Sequence, residues 1–491
     1  MPRQVAILHG WSDSSDSFEP LAAFLKRNGY SVVPIFLGDY VSLRDDVRIE
    51  DVAKRMEEVV RDQQARTGRN KLDARFDLIV HSTGGLVARR WISSHYAGRP
   101  CPVQNLVMLA PANFGSRLAH IGRSMVGRVA KGWRTGFETG EEMLYALELA
   151  SPFQWDLAGS DLFVPEGETP ASVPAFYGKD KVRPFVIVGS FPYQELAAKI
   201  TNENGSDGTV RVAAANLNSR GMTVDFSGAP ERLHEPDVRP WQLRGGDDNQ
   251  FPLAVLCDRT HGDVISPDEK GGSRDAAQQA QLGELILQAL ATTPAGYDAV
   301  RADWQAVNEA TRRLAGDDDE RKRLFRGGAS ADYYHEHFQI VVRAEDEFGE
   351  PIPDYFVTFV KKPKRELFSL RANLDRQSVF FHDEVLESTH THRRHPDHRS
   401  FYIDRYDMMK SGGWYDQIPD PANRELSFSV TAADPGDRIA YFERRRGARG
   451  IVFLHKAGEP ADRWLKRHTT HFIRVIVPRA ADASVFKLKR G

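Results

Sequence analysis

A chain of 491 residues exceeds one ordinary domain, so two or three are expected. Its hydrophobic and charged fractions, 41% and 27%, are those of a globular protein with a sizeable core, and no run approaches the roughly 18 apolar residues of a membrane-spanning helix. The net charge of −2 hides an asymmetry: residues 355–491 hold 26 Lys and Arg against 17 Asp and Glu, a net of +9, which leaves −11 on the first 354. An acidic front and a basic back point to different partners for the two parts.

The chain enters a strand at once, at Val5 to Leu8, which leaves no room for the charged, apolar and cleavage regions of a signal peptide. Two cysteines, Cys101 and Cys257, do not indicate a disulfide framework and suit a reducing compartment. The expected location is cytoplasmic, or outside the cell by a route that needs no N-terminal signal.

From residue 5 to about 110 short apolar strands alternate with amphipathic helices. After the first strand comes a helix over Phe18 to Arg27, a strand over Tyr30 to Leu37 and a long charged helix over Val47 to Gln64. A buried strand, Phe76 to Val80, runs into His81-Ser82-Thr83-Gly84-Gly85, and the apolar spacing from Leu86 to Ile92 is helical. Val103 to Leu109 is the fourth strand. This rhythm predicts a parallel sheet covered by helices on both faces, with ligands at the carboxyl ends of the strands. His9-Gly10 and Ser82 both fall there.

Residues 112 to about 182 break the rhythm with helical, aromatic-rich segments, in the manner of a cap. Strands resume at Pro184 to Gly189 and Pro252 to Cys257. Between them residues 215–250, polar and rich in Gly and Pro, read as a long surface excursion. Ala276 to Ala291 is a closing helix, and Thr292-Thr293-Pro294-Ala295-Gly296 a boundary. Residues 296–328 read as a charged helical connector. From 329 the texture is β, with strands expected at Phe338–Val342, Tyr355–Val360, Leu426–Val430, Ile451–Leu454 and Phe472–Val477. A β-sandwich is the expected form of residues 329–491.

A strand, a tight turn carrying Ser82 and a helix form the layout of a nucleophile elbow. The common pattern is Gly-x-Ser-x-Gly; Val80 stands where its first glycine would be. Such a serine needs a base, an acid that orients the base, and donors for an oxyanion. On this kind of sheet the order is serine, acid, histidine. Asp207, in Gly205-Ser206-Asp207-Gly208-Thr209, follows the strand at 184–189 and is the acid candidate; a turn aspartate capping its own backbone is the structural alternative. His261, after the last strand of the series, is preferred as base over His234, which has no strand before it. The N–H groups of Trp11 and Thr83 are the oxyanion-hole candidates.

These segments, with Leu109-Ala110-Pro111-Ala112-Asn113-Phe114-Gly115-Ser116, resemble the α/β-hydrolase superfamily over about residues 4–292. The resemblance is to its lipase and esterase branch, including lecithin:cholesterol acyltransferase-like lipases. It implies an α/β-hydrolase fold, Ser82 as nucleophile, Asp207 as acid, His261 as base and no cofactor. Acyl transfer or thioester cleavage by the same triad, and a non-catalytic binding protein of this fold, are the alternatives. The C-terminal part is outside the resemblance.

The aromatic content of the cap, with Phe114, Trp133, Phe153 and Trp155 as substrate-lining candidates, suits an acyl chain and equally an ordinary helical core. Basic clusters at Lys361–Arg365, Arg444–Arg446 and Lys487–Arg490 would be drawn to an anionic membrane; no nucleic-acid module is recognisable. His382, His390, His392, His395 and His398 crowd one region with Asp383 and Asp397, in a segment (Ser388 to Ser400) that reads as a polar loop. Their spacing matches no zinc-finger pattern, and no metal is expected.

Overall fold

The computed structural model describes residues 3–8, 15–34, 46–68, 71–121, 140–194, 201–228, 236–246, 249–269, 271–272, 276–324, 333–361, 378–409, 426–436, 438–442, 450–455 and 464–481. The chain divides into two compact units: residues 1–218 with 242–335, and residues 219–241 with 336–491.

The first unit is built on a parallel sheet. In chain order its elements are β1 (Gln4–Leu8), α1 (Glu19–Arg27), β2 (Ser31–Pro34), α2 (Ile49–Ala65), β3 (Phe76–His81), α3 (Gly84–His95), β4 (Val103–Leu109), α4 (Glu141–Leu147), α5 (Pro152–Asp161) and β5 (Arg183–Gly189). The chain then leaves for β6 (Ser219–Asp225) and β7 (Asp237–Pro240), which belong to the second unit, and returns as β8 (Leu253–Leu256), α6 (Ala276–Ala291) and α7 (Tyr297–Leu324). The strands lie in the order β2-β1-β3-β4-β5-β8, every pair parallel. All six residues of β3 are buried, as a strand with a layer on each face must be. The order reverses between β1 and β3, and it is at such a switch point that open α/β sheets bind ligands.

Two expectations change here. The segment read as a surface excursion contributes β6 and β7 to the second unit's sheet, where β6 runs parallel to β16 (Thr470–Val477). The local sequence is polar because β7 is exposed along its whole length; it pairs with β6, whose other neighbour, β16, places Thr470 opposite Ser219, 251 positions back in the chain. The connector is also more than a link. Asn308 donates through Nδ2 to Leu253 O and accepts at Oδ1 from Val255 N–H, and Thr311 Oγ1 donates to Val255 O, at 2.7–2.9 Å. These side chains pair the open edge of β8, and Trp304, fully buried, anchors the helix.

The second unit continues with β9 (His337–Asp346), β10 (Tyr355–Lys361), β11 (Leu386–Thr391), β12 (His398–Asp404), β13 (Leu426–Ala432), β14 (Ile439–Tyr441), β15 (Gly450–His455), β16 and β17 (Arg479–Ala481). A six-stranded mixed sheet, β11-β12-β9-β16-β6-β7, and a three-stranded one, β10-β13-β15, share one apolar core. Alternate residues of β9 (Phe338, Ile340, Val342, Ala344) meet Phe401, Ile403, Ile473 and Val475 there, with Tyr355, Phe359, Phe428 and Val430 from the smaller sheet. The period of two is the reason these segments are strands. The segment Ser388 to Ser400 is a hairpin rather than a loop: β11 pairs with β12, Thr391 opposite Arg399.

Candidate active site

The end of β3 carries the nucleophile candidate. Ser82 has φ = +54°, a left-handed conformation that costs a non-glycine residue about 1–3 kcal/mol and persists where the surroundings impose it. Its N–H donates to Leu109 O, and its carbonyl accepts from Gly85 N–H and Ala112 N–H. A Cβ on Gly85 would stand 2.8 Å from Pro111 Cβ, so the helix after the serine can start this close to β4 only with glycine there. Val80 is fully buried in β3, opposite Leu8 and Met108, where it packs as a strand residue.

Two loops bring the partners to it. His261 Nδ1 lies 2.8 Å from Asp207 Oδ2, and His261 Nε2 lies 3.1 Å from Ser82 Oγ. A carboxylate only accepts, so the proton sits on Nδ1 and Nε2 is left as the acceptor facing the hydroxyl. Asp207 is fully buried and His261 only 3% exposed. The other oxygen of Asp207 accepts from Thr209 N–H (2.9 Å) and Val210 N–H (2.7 Å). Asp207 thus does cap its own turn, with one oxygen, while the second addresses the histidine. Gly208 (φ +89°) makes that turn; a Cβ there would meet the Tyr193 ring at 2.5 Å.

Further residues hold the constellation. His81 Nε2 donates to His261 O at 3.0 Å, and the two rings lie 4.8 Å apart. Ser116 Oγ donates to Thr209 O at 2.6 Å, and Phe114 N–H to Ala214 O at 2.9 Å, tying the loop after β4 to the acid turn. Beneath them Arg89 of α3 forms a bidentate pair with Asp161 of α5 (2.8 and 2.9 Å), and its Nη1 donates to Asn113 O (2.9 Å). Tyr177 OH also donates to Asp161. Both ions are fully buried. Burial works against the charge on Arg89, but Asp161 outweighs it and raises the guanidinium's affinity for its proton. None of these roles is visible in a motif: Arg89 reads as one of two arginines in a helix, and its partner lies 72 positions away.

Among the substrate-lining candidates, Phe114 is 1% exposed with its ring under the Arg89 guanidinium, 5.1 Å away. Trp155 on α5 is buried and Phe153 half-buried. Trp11, His9, Gly10, His234 and Trp133 lie outside the described residues, as do the basic clusters from Lys362 on, at Arg444–Arg446 and at Lys487–Arg490. Cys101 is half-buried and Cys257 buried, and neither is in a disulfide. Among the described residues no helix is long and apolar enough to cross a membrane. Of the crowded histidines, His398 Nδ1 lies 2.9 Å from Asp397 Oδ2, and His392 Nδ1 accepts from His395 N–H at 3.1 Å; these contacts shape the β11–β12 turn.

No protein-family model matches the chain, and no curated protein sequence is recognisably similar to it. Solved structures are. Phospholipase PlaB from Legionella pneumophila aligns over 100% of this chain and 96% of its own, with a TM-score of 0.75 at 22% identity. The same protein in complex with thio-NAD aligns over the same shares at 0.72 and 22%. Lipase BlEst2 from Bacillus licheniformis in its mature form covers 44% of this chain and 80% of its own at 16% identity, with a TM-score of 0.31, too slight a likeness to argue from. At 22% identity it is the architecture that is shared. The chain has the α/β-hydrolase fold, extended by a second, β-rich unit.

Proposed function

We propose that this chain is a serine hydrolase that cleaves carboxylic esters of lipids, phospholipids foremost, through an acyl-enzyme on Ser82. The hydrogen-bonded line from Asp207 through His261 to Ser82 carries the proposal. Ser82 Oγ attacks the acyl carbonyl while His261 Nε2 takes its proton; Asp207 holds Nδ1–H and stabilises the imidazolium that forms. The developing oxyanion faces the Thr83 N–H, beside the amino end of α3, and the sequence offers the Trp11 N–H as the second donor; removal of one such donor in other enzymes costs about 3–4 kcal/mol in the chemical step. His261 then protonates the leaving alcohol. Water, deprotonated by the same nitrogen, releases the acid and restores the serine.

The lipid part of the proposal is supported by the name of the Legionella protein, a phospholipase of the same two-unit architecture. Phe153, with Phe114, Trp133 and Trp155, would line the acyl side. The basic clusters of the second unit would draw the enzyme to an anionic bilayer, each near residue contributing about 1 kcal/mol.

The test is hydrolysis of a chromogenic acyl ester and of a phospholipid panel by wild type and Ser82→Ala, with folding checked by circular dichroism. Activity should vanish in the variant, and a fluorophosphonate should label only wild type. Full activity of Ser82→Ala would sink the assignment. Failure of the probe to label Ser82 would favour a binding protein of this fold, and transfer of the acyl group to an added alcohol would mark an acyltransferase.

A further inference from the structure

Three neighbouring strands of the second unit bring ligand-type side chains to one point. His337 opens β9 and Asp404 closes β12, and the two face each other in the antiparallel register. On the other side of β12 the pairing of β11 runs Leu386 with Ile403 and then Ser388 with Tyr402, so Glu387 is the extra residue of a bulge. A bulge takes one residue out of the strict alternation and re-aims its side chain. Here it turns Glu387 toward the pair.

Glu387 Oε1 lies 3.8 Å and Asp404 Oδ2 3.7 Å from His337 Nε2, and the three atoms all lie within 4.8 Å of one another. The side chains of His337 and Asp404 are 1% and 0% exposed, and that of Glu387 is 26%. The His337 ring is stacked on Tyr402, with centroids 4.6 Å apart and planes 14° from parallel, which holds the ring's plane. Separations of 3.7–3.8 Å are too long for hydrogen bonds. They are near those of donors around a shared ion: ligands about 2.1 Å from a tetrahedral zinc stand about 3.4 Å apart.

We propose that His337, Glu387 and Asp404 form a divalent-cation site that takes a first-row ion of the zinc class. An imidazole nitrogen favours such an ion over magnesium or calcium. Two carboxylates match its double charge, so that it can be held beside two fully buried side chains. The ion enters on the Glu387 side, and water completes its shell. Its role is to clamp the edge strand β11 to β12 and β9, so that zinc binding stabilises the second unit. The ligands are 50 and 17 positions apart along the chain and form no spaced motif; they are distinct from the crowded histidines.

The full chain, stripped with a chelator and dialysed, is titrated with zinc chloride and followed by calorimetry, elemental analysis and thermal unfolding. One zinc per chain and a raised unfolding midpoint are expected. Glu387→Gln, at a partly exposed position that tolerates the change, should weaken zinc binding more than about tenfold while keeping its circular dichroism. Asp404→Asn should do the same if it folds; if it does not, Glu387→Gln decides. His390→Ala and His395→Ala should bind zinc as wild type does. A silent zinc titration, as expected if water alone bridges these groups, or wild-type affinity in Glu387→Gln, overturns the proposal.

Discussion

Arg89→Met is the perturbation that most directly tests how the frame around the site is held. It removes the two hydrogen bonds to Asp161 and the one to Asn113 O, and it leaves the Asp161 carboxylate fully buried without its cation. Breaking a buried pair by removing one partner costs about 3–5 kcal/mol, because the remaining charge has lost both water and counter-ion. Tyr177 OH keeps one hydrogen bond to Asp161, which favours the lower end of that range. In Arg89→Met/Asp161→Leu both charges are gone and the volume is roughly kept, so most of the lost stability should return. Activity should not return with it. The Asn113 carbonyl has still lost its donor, and this segment holds Ser82 through Ala112 N–H and the acid turn through Ser116. Urea unfolding, read from the buried Trp91 and Trp155, measures the first effect, and kcat/KM on a chromogenic ester the second. A loss under about 1 kcal/mol in Arg89→Met, or a double variant as unstable as the summed singles, refutes the account.

Further outcomes concern the acid turn and the second unit. Asp207→Asn should lower kcat by about 10⁴, as it does in other triads by favouring the wrong histidine tautomer; loss of less than tenfold in a steady-state assay would remove Asp207 from the chemistry. Gly208→Ala forces a Cβ against Tyr193 at 2.5 Å and into a left-handed φ, so kcat should fall with the acid displaced while the protein still folds; unchanged kinetics would show that the turn yields. His471 is buried and neutral, its Nε2 accepting from Lys466 N–H and its Nδ1 facing Gln339 O; burial pushes its pKa down to about 3. The unfolded chain protonates this residue below about pH 6.5 and the folded one does not, so stability is complete above that pH and falls on acidification, by about 1.4 kcal/mol per pH unit. Thermal unfolding at pH 7 and pH 5 should show that decline in wild type and a shallower one in His471→Gln; equal slopes would assign the acid sensitivity elsewhere.

Much of the first unit is legible because its signals are local. The period of the apolar residues sets β3 and α3, and a serine between a buried strand and a glycine pair has the layout of a nucleophile elbow. The order of Ser82, Asp207 and His261 along the chain follows from where the carboxyl ends of parallel strands must lie, and the structure brings these three within hydrogen-bond reach. The same rules misplace residues 219–241. A polar strand is recognised by its partners, and β6, paired locally with β7, joins the larger sheet only when Thr470 to Val477 has folded beside it.

What the sequence by itself determined is the rhythm of strands and helices, the division into an acidic front and a basic back, and the candidates for a nucleophile and its partners. Tertiary structure alone decided which side chains meet: Arg89 with Asp161 beneath the site, His81 under His261, Asn308 along the edge of β8, and His337 with Glu387 and Asp404. Periodicity is a property of a few successive residues, whereas a buried ion pair or a cluster of ligands depends on strand order and register. Those are settled by the packing of the whole unit.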